Sequence, residues 1–265
     1  MARRSWHRRS AAPAGVDSIG DRILADLARE GVDATHCVRV PGATSPISAI
    51  TVDASGERLI VNHRDERLAG ASVADPDALV WDCDALLADN RFAQFVLPLC
   101  RAARARGIPV LLDGDRPTAS TDELLTVCTH VVFAADGLRA TTGCDELERG
   151  LRLIAERTDA FLAVTDGANG VLWLARGLLQ QFPAYGVEAV DTLGCGDVFH
   201  GAFVLGLAEG QSEPQALAFA TAAAGIKCTR FGGIAGAPTR VEVAAWLAKE
   251  PLPAVGTQTK ESAAP

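Results

Sequence analysis

The sequence predicts an α/β fold, doubly wound, with a mainly parallel sheet flanked by helices, and two observations support this prediction. First, short apolar segments alternate with longer helical segments from residue 85 onward, which is typical of βαβ units. Second, the chain has 265 residues, of which 48% are hydrophobic, so it can bury the core of one large α/β domain. No apolar stretch approaches the roughly 20 residues that a membrane span requires, and we therefore exclude one.

A helix and a hairpin open the predicted fold. Residues 21–31 have apolar side chains at helical spacing and end at a glycine, as an amphipathic helix does. Residues 46–53 and 58–62 are β-rich and flank the short Gly-containing segment 54–57, which predicts a β-hairpin. The later predicted elements are, in chain order, a strand at 85–88, a helix at 92–106, a strand at 109–112, a short helix at 121–128, a strand at 130–133, a helix at 144–157, a strand at 161–164, a hairpin of 170–174 with 177–181, a glycine-rich loop at 191–196, and helices at 198–209, 214–228 and 240–249.

Both ends of the chain differ in composition from its body. The first 15 residues carry four arginines and no acid, and because they lack an apolar core they cannot be a secretory signal. An organelle transit peptide and a poorly ordered tail both fit this composition. The last residues are polar and contain proline, which predicts disorder. We therefore place the main domain at residues 19–249, between an atypical Arg-rich segment at 1–18 and a disordered tail at 250–265.

Charge and cysteine content limit the partners and the compartment. The chain has 33 acidic side chains against 25 of Lys and Arg, a formal net charge of −8, and no basic face, which argues against a nucleic-acid partner. We therefore expect a small-molecule ligand. The seven cysteines are scattered without a C-x-x-C pair, which suits neither a disulfide framework nor a zinc site. Reduced thiols are typical of the cytoplasm, where we expect this protein.

The segment D-T-L-G-C-G-D-V-F-H-G-A-F at residues 191–203 carries the clearest chemical signal. Gly194 and Gly196 allow unusual backbone conformations, and a helix that begins near Asp197 directs its first amides and its positive dipole end at the loop. Such a loop can bind an anion. Asp197 can then accept a proton from a substrate hydroxyl while the amides stabilise a transferring phosphoryl group. An ordinary strand-to-helix turn, with Asp197 as the N-terminal cap, is the alternative.

This segment resembles the C-terminal signature D-T-x-G-A-G-D of the ribokinase-like (PfkB) sugar kinases, with Cys195 in place of the usual alanine. Residues 164–170 (V-T-D-G-A-N-G) resemble the V-T-x-G-x-x-G strand and turn of that family, and residues 222–233 resemble its closing helix and loop. The hairpin at 46–62 falls where the family carries a small β lid. The three motifs occur in the family's order, and the resemblance extends over nearly all of residues 19–249.

The resemblance implies an ATP-dependent kinase that acts on a small sugar, uses Mg²⁺ and forms a homodimer. Asp197 would be the catalytic base, and the amides of Gly194, Cys195 and Gly196 would form the anion hole. The implied nucleotide-binding residues are Thr165, Gly167 and Gly170. The implied ligands of a monovalent cation such as K⁺, mostly through backbone carbonyls, are Asp191, Leu193, Lys227, Arg230 and Gly232.

The chain departs from the family pattern in two places. The frequent N-x-x-E pair near the metal would fall at Ala134 and Gly137, which leaves metal binding to waters or to other acids such as Asp136. The family also begins with a strand that carries an acidic sugar ligand, followed by a Gly-Gly segment and a helix. Because those elements have no counterpart before residues 15–23, we expect the N-terminal part of the family domain to be missing.

Two polar residues bear on the choice of sugar. Asn62 ends the second lid strand, and Arg91 follows the strand at 85–88, at the carboxyl edge where open α/β sheets bind ligands. A guanidinium there suits a carboxylate, phosphate or sulfonate, although pairing with Asp89 or another surface acid is the alternative. The segments L-A-D-N-R-F, L-L-D-G-D and K-C-T-R-F-G-G resemble the sulfofructose kinase branch of the family.

That resemblance implies that Asn62 and Arg91 hold the sulfonate of 6-deoxy-6-sulfofructose while Asp197 deprotonates its C1 hydroxyl. Another kinase of the family, acting on fructose, ribose or a phosphosugar, and a non-catalytic binding protein stay as alternatives. His200 follows Asp197 by one helical turn and is either a second base or a packed residue. Cys195 at a helix N-terminus is a candidate reactive thiol. The acids at 113 and 115 either face the cleft or cap a turn.

Overall fold

The computed structural model describes residues 7–52, 58–119, 122–250 and 256–257. The chain forms two compact units, Met1–Leu79 and Val80–Pro265. The elements of the first unit are β1 (Arg8–Arg9), β2 (Pro13–Gly15), α1 (Ser18–Arg29), β3 (Val32–Asp33), β4 (Val38–Val40), β5 (Ile47–Val52) and β6 (Arg58–His63), and α2 (Pro76–Val80) ends one residue beyond it.

The described residues of the first unit form three two-stranded sheets. β1 pairs with β3 and β2 with β4, both in parallel, while β5 and β6 form an antiparallel hairpin. The hairpin confirms the prediction for residues 46–62, and its turn at 54–57 lies outside the described residues. Helix α1 confirms the predicted amphipathic helix. Asp17 caps it, accepting a hydrogen bond of 2.7 Å from the Gly20 N–H.

The prediction of a poorly ordered start is wrong for residues 8–15, which form β1 and β2. All three residues of β2 are buried. The N–H of Gly15 donates to Ser45 Oγ at 2.9 Å, and a Cβ at this position would lie 2.3 Å from the Ala43 carbonyl oxygen. This close approach requires the small residues of the P-A-G segment, so the segment belongs to a packed sheet. Residues 1–6 lie outside the described part of the chain.

One seven-stranded sheet organises the second unit. Its strands lie in the order β13, β12, β11, β10, β9, β8, β7, with β7 to β10 parallel and β10 to β13 antiparallel. The α/β fold is therefore confirmed, with a mixed sheet where we expected a mainly parallel one. The strands are β7 (Leu86–Asp89), β8 (Val110–Gly114), β9 (His130–Ala134), β10 (Phe161–Thr165), β11 (Val171–Ala175), β12 (Leu178–Phe182) and β13 (Gly256–Thr257).

Strand β13 falls within the segment that we predicted to be disordered. Gly256 and Thr257 pair with Gln181 and Gln180 of β12, so these two residues extend the sheet. The rest of that segment, 251–255 and 258–265, lies outside the described residues.

In the described part of the second unit, seven helices follow α2. The predicted helix at 144–157 is shorter, and a helix that the sequence pattern missed precedes it, because Gly143 adopts a left-handed conformation (φ 68°) and ends the first of the two. The helices are α3 (Ala93–Ala105), α4 (Leu124–Val127), α5 (Ala135–Thr142), α6 (Leu147–Ala155), α7 (Cys195–Ala208), α8 (Glu213–Cys228) and α9 (Arg240–Lys249).

The main core packs α7 and α8 against one face of the sheet. Trp173 and Phe182 of the antiparallel strands, Phe199 and Phe203 of α7, and Leu217 of α8 belong to one buried cluster. This packing places the beginning of α7 close to the carboxyl ends of the parallel strands, where a hydrogen bond joins His200 to Val132 of β9. No helix in the described part of the chain has the length and apolar character to cross a membrane.

Candidate active site

The loop before α7 carries the predicted anion hole. Gly194 has a φ of 79°, a left-handed conformation that favours glycine, and it is the N-cap of α7. The helix begins at Cys195, three residues before the predicted start, so Asp197 lies exposed in its first turn. The capping alternative for Asp197 is therefore wrong, because Gly194 occupies that position.

The amides of this first turn divide into two groups. The Cys195 N–H donates to the Thr192 carbonyl at 3.2 Å, and the Val198 N–H donates to the Gly194 carbonyl at 3.0 Å. Between them, the N–H groups of Gly196 and Asp197 have no acceptor within the helix, as its geometry dictates. The predicted anion hole of residues 194–196 thus lies at a helix N-terminus. Because the Cys195 N–H already donates to Thr192, the N–H groups of Gly196 and Asp197 are the ones that could bind an anion.

His200 lies beneath this turn and is only 3% exposed. Its Nδ1 lies 2.8 Å from the Gly196 carbonyl oxygen, and its Nε2 lies 3.1 Å from the Val132 carbonyl oxygen. A neutral imidazole can donate to one of these carbonyls, whereas the imidazolium can donate to both. Oδ2 of Asp113 lies 3.5 Å from Nδ1. The structure thus confirms the packed alternative for His200.

Three acids and Arg91 meet where β7 and β8 end. Arg91 binds Asp115 at 2.5 Å and lies 3.7 Å from Asp89, so the pairing alternative for this guanidinium is confirmed, and its side chain is 40% exposed. Asp113 is 8% exposed, and its Oδ1 has no hydrogen-bond partner among the described residues. The pKa of Asp113 is raised to about 6, mainly by burial; His200 and Arg91 lower this pKa, and the charges of Asp115 and Asp197 raise it.

Asp191 joins the loop to the end of α8. Its carboxylate accepts hydrogen bonds from the N–H groups of Leu193 at 2.8 Å and Gly232 at 3.0 Å, which lower the pKa of Asp191. Its carbonyl oxygen accepts a hydrogen bond of 3.0 Å from Lys227 Nζ, which also donates to the Arg230 carbonyl at 3.2 Å. Two of the carbonyls implied as K⁺ ligands therefore bind an ammonium group of the chain itself.

Cys195 contacts Cys228 of α8, with the two Sγ atoms 2.9 Å apart. The hydrogen bond with Cys228, together with burial, raises the pKa of the Cys195 thiol well above its ordinary value. A reactive cysteine needs a depressed pKa. The structure therefore argues against Cys195 as a nucleophile.

The predicted nucleotide-binding turn joins β10 to β11. The Thr165 hydroxyl donates to the Phe133 carbonyl at 3.4 Å, next to the Val132 carbonyl that binds His200. Gly167 and Gly170 have φ values of 51° and 93°. A Cβ at Gly170 would lie 2.1 Å from the Phe182 carbonyl oxygen, so only glycine fits here. This turn therefore lies at the same edge of the sheet as the loop before α7.

Asn62 belongs to the first unit, whereas the residues above belong to the second. It is exposed at the end of β6, and its Oδ1 accepts a hydrogen bond of 2.5 Å from the Ser48 hydroxyl across the hairpin. This contact lies within the first unit, and a role of Asn62 in binding a substrate stays a prediction.

The acidic side chains do not form a ready site for Mg²⁺. No group of three or more His, Cys, Asp or Glu residues among the described ones is arranged to hold a metal ion. Gly137, where the family has glutamate, packs so closely that a Cβ would lie 2.2 Å from the Gly114 carbonyl oxygen. Asp136, the alternative acid, is 98% exposed and pairs with Arg139. Neither of these two positions thus offers an unpaired carboxylate to Mg²⁺, and the binding of Mg²⁺ stays a prediction.

A groove of about 220 Å³ lies between α7, α8 and α9. Its walls are mainly apolar and include Val198 and Ala202 of α7, Phe219 of α8 and Val243 of α9. The sequence reasoning missed this groove, because each of its walls comes from a different helix.

Comparisons with known proteins identify the family of this chain. The family model described as pfkB family carbohydrate kinase matches residues 10–240. The chain belongs to this family. The match begins at residue 10, nine residues before the predicted boundary at residue 19, and so includes β2; the family's members are carbohydrate kinases.

Ribokinases and fructokinases are among the relatives of this pfkB-family chain. A ribokinase of Haemophilus influenzae is 28% identical over 247 residues, with 88% of this chain and 79% of that protein covered. An Agrobacterium tumefaciens crystal structure assigned as a ribokinase is 38% identical, with a TM-score of 0.86 over 91% of this chain and 80% of that one. A structure of Arabidopsis thaliana ribokinase complexed with ribose and ATP, 23% identical, has a TM-score of 0.78 over 91% of this chain and 82% of that one, and shows the fold.

Proposed function

We propose that this pfkB-family kinase transfers the γ-phosphoryl group of ATP to a sugar hydroxyl, with Asp197 as the base. One observation supports this above all others. An exposed carboxylate lies in the first turn of α7, beside N–H groups that no helical acceptor uses. A carboxylate there weakens an anion site unless it has a task of its own.

Each part of this arrangement has a role in the transfer. Asp197 accepts the proton of the sugar hydroxyl as its oxygen attacks phosphorus. The amides of Gly196 and Asp197, with the dipole of α7, stabilise the charge on the transferring group. Mg²⁺, when it is bound with ATP, neutralises phosphate charge. Thr165, Gly167 and Gly170 remain the proposed border of the nucleotide, on the same edge of the sheet.

For the sugar we propose 6-deoxy-6-sulfofructose, phosphorylated at C1. The resemblance to the sulfofructose kinase branch supports this substrate, and so does a half-exposed guanidinium at the carboxyl edge of the sheet. The guanidinium of Arg91 is a planar fork that suits a sulfonate, and in this structure it binds Asp115. Asn62 stays a proposed second ligand of that sulfonate.

A neutral sugar is the second candidate. The relatives reported above include ribokinases and fructokinases, and Arg91 is already paired with two carboxylates, Asp89 and Asp115. A sulfonate would therefore share the guanidinium with Asp115 at some electrostatic cost. A homodimer, a cytoplasmic location and the use of Mg²⁺ stay predictions.

Turnover of ATP with a sugar panel tests both proposals. The purified chain is assayed with ribose, fructose and 6-deoxy-6-sulfofructose, in the wild type and in the Arg91→Ala variant. We expect this substitution to raise KM for the sulfonated sugar by about 10- to 100-fold, the value of a charge-assisted hydrogen bond, with little change for a neutral one. Arg101→Ala, which removes a surface pair with Glu123 from the same region, is the matched control.

The outcomes separate the candidates. Equal losses with sulfonated and neutral sugars would overturn the sulfonate role of Arg91. Turnover of ribose or fructose alone would select the neutral-sugar kinase. Nucleotide binding without turnover of any sugar would support the third alternative, a binding protein that retains the fold.

A further inference from the structure

Lys227, in the last turn of α8, has a fully buried side chain. Lysine is almost never fully buried unless its charge is paired, because an unpaired ammonium in the interior is very costly. The groups around this ammonium therefore indicate its role. It lies behind the loop that leads into the first turn of α7.

Three oxygen atoms surround the ammonium. Nζ donates to the carbonyl oxygens of Asp191 at 3.0 Å and Arg230 at 3.2 Å, and it lies 3.6 Å from Asp191 Oδ2. Backbone carbonyls and a carboxylate are also the ligands that suit a hard monovalent cation. One ammonium carries the same charge as one K⁺ ion. Because the ammonium already lies among these oxygens, it repels a metal ion from the same place.

The packing around the lysine stem supports a built-in role. A Cβ at Gly236 would lie 3.0 Å from Lys227 Cδ and 3.1 Å from Cε, so the glycine leaves room for the stem. On the far side, the Arg230 side chain pairs with Glu242 of α9 at 2.5 Å, which holds the residue whose carbonyl Lys227 binds. The ammonium is thus held from the loop, from the turn after α8, and by close packing.

We infer that Lys227 is a positioning residue whose ammonium takes the place of a monovalent cation, so that this kinase works without K⁺. The residues implied as K⁺ ligands therefore do not fit a metal ion as long as Lys227 is present. The ammonium fixes the Asp191 and Arg230 carbonyls and places a positive charge behind the anion-binding turn. This inference rests on the proposed kinase function for its kinetic part.

Kinetics of the wild type and of two variants in matched salts test the inference. Turnover of ATP with the preferred sugar is measured in KCl and in tetramethylammonium chloride of equal ionic strength. We expect wild-type kcat to be the same in both. Lys227→Ala should lower kcat by about tenfold, less than for loss of a direct donor to the anion, because Lys227 acts through backbone carbonyls, and KCl should restore most of the lost kcat. Lys227→Met fills the space without a charge, so we expect its kcat to be lower than that of the wild type and KCl not to raise it.

Thermal unfolding gives a readout that is independent of turnover. We expect KCl to raise the Tm of Lys227→Ala above its value in tetramethylammonium chloride, because K⁺ binds only the folded state, and to leave the wild type and Lys227→Met unchanged. A wild type activated by K⁺ would overturn the inference. A Lys227→Ala variant whose kcat and Tm are both unchanged by K⁺ would also overturn the inference. A wild type that turns over no sugar would overturn the proposed function, and the melting experiment would still decide the role of Lys227.

Discussion

The loop that leads into α7 has two faces with opposite chemistry. Its outer face carries the exposed Asp197 carboxylate and the first-turn amides. Its inner face carries the carbonyl oxygens of Asp191 and Gly196, which bind Lys227 and His200. Because a peptide group is planar, with its N–H and C=O pointing in opposite directions, a Gly196 carbonyl held from inside keeps the Asp197 N–H pointing outward. Buried donors therefore orient the groups that face the ligand.

Asp197→Asn removes the chemistry of the outer face and should have the largest effect. Asparagine keeps the size of the side chain but cannot act as the base, so we expect kcat to fall by about 10²- to 10⁴-fold. The affinity for ATP should change little, because the backbone amides remain. Steady-state kinetics and nucleotide binding measure the two quantities.

Asp136→Asn is the control for this substitution, because Asp136 is an exposed acid on α5 that pairs with Arg139 on the same helix. It should behave as the wild type does. A loss of less than about tenfold in Asp197→Asn would exclude Asp197 as the base.

His200→Ala disturbs the inner face and should have an intermediate effect. It leaves the Gly196 and Val132 carbonyls without their side-chain donor, which should cost about 1–3 kcal/mol in the free energy of unfolding. We expect kcat to fall by about tenfold, less than for loss of a direct donor to the anion, while KM for the sugar stays near its wild-type value. Denaturant unfolding and steady-state kinetics measure these changes.

Two conservative variants separate orientation from packing at His200. The side-chain amide nitrogen of Asn would lie near the position of Nδ1 and can reach the Gly196 carbonyl. The side-chain amide nitrogen of Gln would instead reach toward the Val132 carbonyl, as Nε2 does. We expect His200→Asn to recover more kcat than His200→Gln. Equal recovery would mean that His200 only fills space.

Asp113→Asn changes the charge of the inner face and should have the smallest effect on kcat. With a pKa of about 6 against 3.8, the folded state binds the Asp113 proton more tightly than the unfolded chain does. Ionisation of Asp113 therefore destabilises the fold as pH rises from about 4 to about 6, by roughly 2–3 kcal/mol when complete. Asn removes this dependence, so the variant should gain stability relative to the wild type on going from pH 4 to pH 7.

Urea unfolding of both proteins across this pH range gives the difference directly. The Asp136→Asn variant again serves as the control, and its profile should run parallel to that of the wild type. Parallel profiles for Asp113→Asn would show that the Asp113 carboxyl titrates alike in the folded and unfolded states.

The outer face could be predicted from the sequence because its signal is local. Gly194, Gly196 and Asp197 lie within four residues, and the loop, the helix and the exposed acid all follow from that short motif. The parallel strands could be predicted for the same reason, since each is a continuous apolar run. Strands β2 and β4 were missed, because three residues are too few to show a period.

The inner face could not be predicted, because its contacts join distant segments. Lys227 binds a carbonyl 36 positions earlier, and His200 binds one 68 positions earlier. The sequence pointed to Lys227 for its backbone carbonyl, whereas its side chain makes the contact. No local pattern shows that a lysine near a helix end is buried, or that Asp113 lies next to His200.

The hydrogen bonds of Asp191 also have a consequence for the order of folding. The loop at 191–194 is held by Lys227, by the Cys228 carbonyl and by the Gly232 amide, all of which come later in the chain. During synthesis the strands from β7 to β12 emerge first and can form their sheet before α8 is complete. We therefore expect the loop at 191–194 to become ordered on the ribosome later than strands β7 to β12, so that a nascent chain halted before residue 227 would carry these strands without a formed anion-binding turn.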